Sequence, residues 1–125
     1  LFDFRIHVEF DPDDQNQIPR VLNQVRQEVA VVLPPVEYAF EHGFSHIFGG
    51  DYAAGYYSYK WAEVLSADAF AQFLEEGIFN RQTGEKFLAT ILEKGGSEEA
   101  MVLFIAFRGR EPDVEALLRQ EGMVA

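Results

Sequence analysis

His46-Ile-Phe-Gly-Gly-Asp-Tyr-Ala-Ala-Gly-Tyr-Tyr-Ser-Tyr-Lys-Trp61 holds four of the chain's five tyrosines, its only tryptophan, one of its three histidines and three glycines. Gly49-Gly50 and Gly55 mark backbone that can bend. Each tyrosine brings a large apolar body with a hydrogen-bonding tip. One reading is a bendable loop that grips a ligand and donates to developing negative charge. The other is a loop leading into a helix whose aromatics are core. If Tyr52 opens the helix, Tyr52, Tyr56 and Tyr59 stand at i, i+4 and i+7 on one face.

Downstream of this run the periodicity is helical. Trp61, Leu65, Ala69 and Phe73 recur every four residues, and Val64 and Phe70 widen the stripe, with Gly77 as the stop. Asn80 to Gly84 reads as a polar link. Phe87, Leu88, Ile91 and Leu92 predict a further helix ending at Gly95-Gly96. Ser97 is placed to cap the next, with Glu98 and Glu99 in its first turn and Met101, Phe104 and Phe107 on its apolar face. Arg108-Gly-Arg-Glu111 is a sharp link. Pro112 then fits the first turn of a last helix carrying Val114, Leu117 and Leu118, closed by Gly122.

Upstream, residues 36 to 50 are irregular and aromatic. Ile18, Val21, Leu22, Val25 and Val29 predict a helix capped by Asn16 and stopped near Leu33 by Pro34-Pro35. Residues 1 to 10 alternate apolar and polar, which taken alone is a strand signal. The whole reads as one unit of 125 residues without repeats.

Nearly half the residues are hydrophobic and twelve are Phe, too apolar for disorder. The formal net charge of −11 argues against nucleic acid and anionic membrane as partners, since both attract positive charge. The chain has no cysteine, so thiol chemistry and disulfides are excluded, in keeping with a cytoplasmic setting. No apolar run approaches bilayer length. Leu1 opens inside an apolar segment without an initiator Met, which points to a piece of a longer chain.

His42 and His46 are four apart, a chelating spacing on a helix. The zinc-peptidase pattern H-E-x-x-H needs a Glu that Gly43, Phe44 and Ser45 do not supply, so no metal ligand is assigned, and His42 reads as structural or at the surface. His7, between Ile6 and Val8, reads as a hydrogen-bonded structural histidine. No Gly-x-Ser-x-Gly elbow and no phosphate loop are present. Glu75-Glu76 and Glu98-Glu99 read as solvated helix ends. Arg108 and Arg110 flanking Gly109 can hold a carboxylate, or serve a local turn and ion pair with Glu111. His46 with Tyr52, Tyr56 and Tyr59 is left as the chemical feature. Tyrosine hydroxyls suit an oxyanion but cannot generate the nucleophile.

The run Phe44-Ser-His-Ile-Phe-Gly-Gly-Asp-Tyr-Ala-Ala-Gly-Tyr-Tyr-Ser-Tyr-Lys-Trp-Ala-Glu-Val-Leu-Ser-Ala-Asp-Ala-Phe70 resembles the C-terminal part of the thimet-oligopeptidase-like zinc peptidases. The likeness continues through Gly77-Ile-Phe-Asn80, Thr83-Gly84, Gly95-Gly-Ser-Glu-Glu99 and Phe107-Arg-Gly-Arg-Glu-Pro112, and back to Leu1-Phe-Asp-Phe-Arg-Ile-His7. It implies an all-α chain, residues 1–125, that is the helical C-terminal segment of a larger, mostly helical catalytic domain. Residues 1 to 10 would then be helix rather than strand. Zinc, its ligands and the general base would come from upstream segments that this chain lacks. By the same resemblance His46, Tyr56 and Tyr59 are the catalytic residues that hydrogen-bond the substrate carbonyl as it becomes tetrahedral. Tyr52 belongs to the same mobile, substrate-binding loop, with Gly49, Gly50 and Gly55 as its hinge glycines. Bacterial members usually read Ala-Gly-Gly-Tyr where this chain has Gly49-Gly50-Asp51-Tyr52, a departure that bears on loop stiffness and substrate preference. The implied partners are short peptides and the remainder of the peptidase chain. The isolated chain is expected to be inactive and, with apolar surface left open, to self-associate. A reading from another class is a helical binding or assembly module without catalysis.

Overall fold

The computed structural model describes residues 1–35 and 37–124, so Val36 and Ala125 lie outside the described residues. The described residues are helical, with no strand among them. They fall into two compact units, Leu1–Ser58 and Tyr59–Ala125.

The first unit contains α1 (Phe2–Val8), α2 (Gln17–Val29), α3 (Phe40–Gly43) and α4 (Ser45–Phe48). The strand suggested by alternation at residues 1 to 10 is not formed, and the helix implied by the family resemblance is. The four-residue step from Phe2 to Ile6 decides it. Both are buried in one cluster with Val21, Leu22, Val25 and Ile47, while Val8 and Phe10 stay exposed. A seven-residue helix is marginal alone. Burial of Phe2 and Ile6 against α2 supplies the missing stability, about 1.5–3 kcal/mol for each side chain fully buried. Between α1 and α2 the chain is held by polar side chains. The Gln17 amide donates to the Glu9 carbonyl and accepts from the Asp11 N–H at 3.0 Å.

Asn16 sits at the N-cap of α2, but its side chain makes no capping hydrogen bond. The helix also stops at Val29, four residues before the predicted end, with Ala30 extended. Val31, Val32 and Leu33 are exposed and β-branched or proline-flanked, so nothing compensates their poor helix propensity.

The second unit is built from α5 (Ser58–Glu76), α6 (Arg81–Phe87) running into a π-helical turn at Leu88–Leu92, α7 (Ala100–Arg108) and α8 (Glu115–Gln120). Its core holds Ala67, Leu103, Phe104 and Phe107. The Phe73, Phe87 and Phe107 rings meet there with centroids 5.1–6.1 Å apart. Of the predicted stripe on α5, Val64, Leu65, Ala69 and Phe73 are half-buried and Trp61 and Phe70 are about half exposed, while Ala67, Asp68 and Gln72 are its buried residues.

The predicted polar link at Asn80 to Gly84 is the start of α6. Asn80 is its N-cap and accepts from the Gln82 N–H at 2.9 Å. Ser97 does not cap α7, whose N-cap is Glu99, so Glu98 and Glu99 precede the helix rather than fill its first turn. α8 begins at Glu115, beyond Pro112, with Asp113 Oδ1 accepting from the Glu115 N–H at 3.0 Å. Gly122, at φ 72°, closes α8 as predicted.

Around Asp68 the second unit carries a charged knot. The fully buried carboxylate accepts from Arg108 Nε at 3.1 Å, both terminal nitrogens of Arg110 at 2.6 and 2.7 Å, and the Asp113 N–H at 2.8 Å. Arg108 also makes a two-bonded pair with Glu75 at 3.0 Å. The arginines flanking Gly109 therefore do hold a carboxylate, and it is internal. Glu75 and Glu76 are exposed at the end of α5, as expected, and Glu76 also accepts from Thr83 and from Gln72.

Candidate functional site

The run from Phe44 to Ser58 does not begin the long helix. Residues 49–57 are turns and a bend, and α5 starts only at Ser58. The helical face predicted for Tyr52, Tyr56 and Tyr59 is thus replaced by a different arrangement. Tyr52 and Tyr56 lie on the turns and Tyr59 lies in the first turn of α5, about half exposed. The physical reason lies in the backbone. Gly55 and Gly50 are poor helix residues, and Ala54 adopts φ 53°. A left-handed alanine ends any helical run through it and costs roughly 1–2 kcal/mol.

The turns bring the aromatic side chains onto α4. His46 faces Tyr56 with ring centroids 5.4 Å apart and Tyr52 at 6.1 Å. Tyr52 and Tyr56 meet edge to face at 5.9 Å, so the three rings form a closed triangle. Phe44 backs it, 4.8 Å from Tyr56 and 5.9 Å from His46. His46 itself is exposed, and both tyrosines are half-buried against the core cluster. Edge-to-face contacts of this kind contribute about 0.5–1.5 kcal/mol each beyond burial. The triangle brings one imidazole and two phenol rings together in the first unit.

Of the glycines, Gly50 has a specific requirement. A Cβ there would lie 2.9 Å from the His46 carbonyl oxygen, so only glycine lets the chain double back over α4. A Cβ at Gly49 or Gly55 would meet nothing closer than 3.6 Å.

Sequence reasoning missed Asp3. Its carboxylate accepts from the Ala54 N–H at 2.8 Å through Oδ1 and from the Tyr56 N–H at 3.1 Å through Oδ2. The His7 ring donates from Nδ1 to the Asp3 carbonyl at 2.6 Å, as a structural histidine, and lies 3.1 Å from Oδ1. Neither the strand nor the helix reading of residues 1 to 10 gives Asp3 a role. The usable signal was an acid in the first turn of a helix between two phenylalanines.

His42 and His46 do not share a helix: Phe44 separates α3 from α4. His42 is exposed. Among the described residues no group of three or more His, Cys, Asp or Glu comes together in a way that can hold a metal ion. No helix of the described residues is long and apolar enough to cross a membrane.

The model of peptidase family M3 matches residues 1–123. Oligopeptidase A of Escherichia coli (strain K12) is 58% identical over 123 residues, covering 98% of this chain and 18% of that protein. Oligopeptidase A of Haemophilus influenzae is 58% identical over 124 residues, covering 99% of this chain and 18% of that protein. Saccharolysin of Saccharomyces cerevisiae is 30% identical over 124 residues, covering 98% of this chain and 17% of that protein. The chain spans less than a fifth of the length of these curated relatives.

Proposed function

The chain belongs to peptidase family M3, and we propose that it is the C-terminal part of the catalytic domain of a cytoplasmic, zinc-dependent oligopeptidase acting on short peptides. Its task in the whole enzyme is to hold the substrate and to stabilise the oxyanion. The observation that carries this reading is the triangle of His46, Tyr52 and Tyr56, with rings 5.4–6.1 Å apart. When a peptide carbonyl becomes tetrahedral its oxygen gains negative charge. A phenol O–H already aimed at that oxygen stabilises the transition state more than the ground state. Tyr56 and Tyr59 take that donor role with His46. Tyr52 and the turns at Gly49, Gly50 and Gly55 contact the substrate.

The described residues do not fit a zinc site, so the ion, its ligands and the base that activates water are assigned to other parts of the enzyme. Zinc supplies the polarised water there, and no residue of this chain is given a part in that step. The chain alone is therefore proposed to be inactive.

The test is steady-state kinetics of the whole enzyme carrying Tyr56→Phe or Tyr59→Phe. Each substitution removes one O–H and little volume. Each is expected to lower kcat by roughly 10²–10³ and to leave KM nearly unchanged. An unchanged kcat in both variants sinks the oxyanion role.

A further inference from the structure

We propose that Asp3 is a positioning residue for the tyrosine loop: its carboxylate clamps the backbone on both sides of Gly55 and so fixes where the Tyr56 Cα is placed. The clamp rests on the proposed role of the tyrosines for its catalytic consequence, but its geometry stands on its own.

Asp3 is nine-tenths buried, on a helix of only seven residues. A buried carboxylate needs hydrogen-bond donors. This one takes two N–H groups from residues more than fifty positions away, Ala54 at 2.8 Å and Tyr56 at 3.1 Å. Both lie on turns, where the first helical bond of α5 has not yet formed. One of them belongs to Ala54, the described non-glycine residue with positive φ. Strained backbone of this kind persists only where surrounding groups determine it. Asp3 is such a group, because each carboxylate oxygen holds one amide and the pair fixes the Ala53–Ala54 and Gly55–Tyr56 peptide planes. His7 lies beside the carboxylate, its Nδ1 3.1 Å from Oδ1 while donating to the Asp3 carbonyl. Between the two held peptide planes lie only Ala54 and Gly55, so the position of the Tyr56 Cα follows from the clamp. Charge-assisted bonds to a carboxylate are the stronger kind, which suits a single residue to hold a short loop.

The discriminating variant is Asp3→Asn in the whole enzyme. Asparagine keeps the shape but presents an NH₂ to one of the two amides, so one bond is replaced by a donor facing a donor. Hydrogen exchange of peptides spanning 49–57 is compared with that of α2, and kcat and KM are measured on the same material. Exchange at 49–57 should accelerate roughly tenfold or more while α2 is unchanged. The kcat, referred to the amount of folded enzyme, should fall by a similar factor with KM changed little; a mere loss of folded protein leaves kcat per folded enzyme unchanged. Unchanged loop exchange, or acceleration spread equally over α2, overturns the clamp. A loosened loop with unaltered kcat, together with a silent Tyr56→Phe, counts against the tyrosine role instead and leaves the backbone clamp in place.

Discussion

Single residues decide more here than their number suggests. Asp68 is buried among hydrogen-bond donors of the second unit. Burial pushes its carboxyl up, but the Arg110 hydrogen bonds, the Asp113 N–H and the charges of Arg110 and Arg108 outweigh burial and hold it below its ordinary value. A carboxyl held low in the folded state binds fewer protons there than in the unfolded chain. Its stabilisation is therefore complete above the ordinary carboxylate range, about pH 4, and drains away as pH falls through its folded value. Asp68→Asn at pH 7 should cost roughly 3–5 kcal/mol, because it leaves two guanidinium groups facing a neutral amide. Urea unfolding at pH 7 and pH 3 checks this: the gap between the two proteins should narrow at the lower pH. Glu75, also held low through its Arg108 hydrogen bond, is present in both proteins and does not account for the narrowing. An equal gap at both values contradicts the ion-pair origin. The sequence showed that Arg108 and Arg110 can grip a carboxylate, but not which one. The partner lies forty or more residues away on α5, a distance that no local pattern bridges. Asp3 was invisible for the same reason: its partners are backbone amides fifty residues downstream, which no side-chain pattern records.

At the level of helices, the legible part was periodicity and the illegible part was which residues find something to pack on. α1 shows it best. Alternation at residues 1 to 10 and a four-residue step from Phe2 to Ile6 coexist in the same ten letters, and only burial distinguishes them. Helix is correct if Ile6→Ala costs about 2–5 kcal/mol while Val8→Ala, at an 80% exposed position, changes stability by about 0.5 kcal/mol or less. Thermal unfolding of the two variants measures it. Comparable losses at both positions would restore the strand. The late start of α5 has a similar cause. The spacing of Tyr52, Tyr56 and Tyr59 fits a helix, yet the left-handed Ala54 and the amides held by Asp3 favour turns up to Ser58. The aromatic concentration at His46 to Trp61 was legible as a candidate site. Its form, a triangle on α4 rather than one helix face, was not, because ring-on-ring packing depends on a fold-back that only Gly50 permits.

The whole molecule leaves much apolar surface in water. Val31, Val32 and Phe79 are 81–100% exposed, a cost an independent globular protein seldom carries. The chain also spans 18% of the oligopeptidase A relatives it matches. On the proposed function these side chains dock onto the remainder of the peptidase. The isolated chain should therefore self-associate in sedimentation at micromolar concentration and hydrolyse no peptide when supplied with zinc. A monomer at high concentration, or turnover by the chain alone, would contradict that. The central claim is that Tyr56 acts on the transition state rather than on bound substrate. Its most direct test is the affinity of the whole enzyme for a phosphinic peptide, whose tetrahedral centre mimics that state. Tyr56→Phe should weaken this inhibitor by about the factor lost in kcat/KM, with substrate KM nearly unchanged. Undiminished affinity for the phosphinic peptide would contradict the oxyanion role.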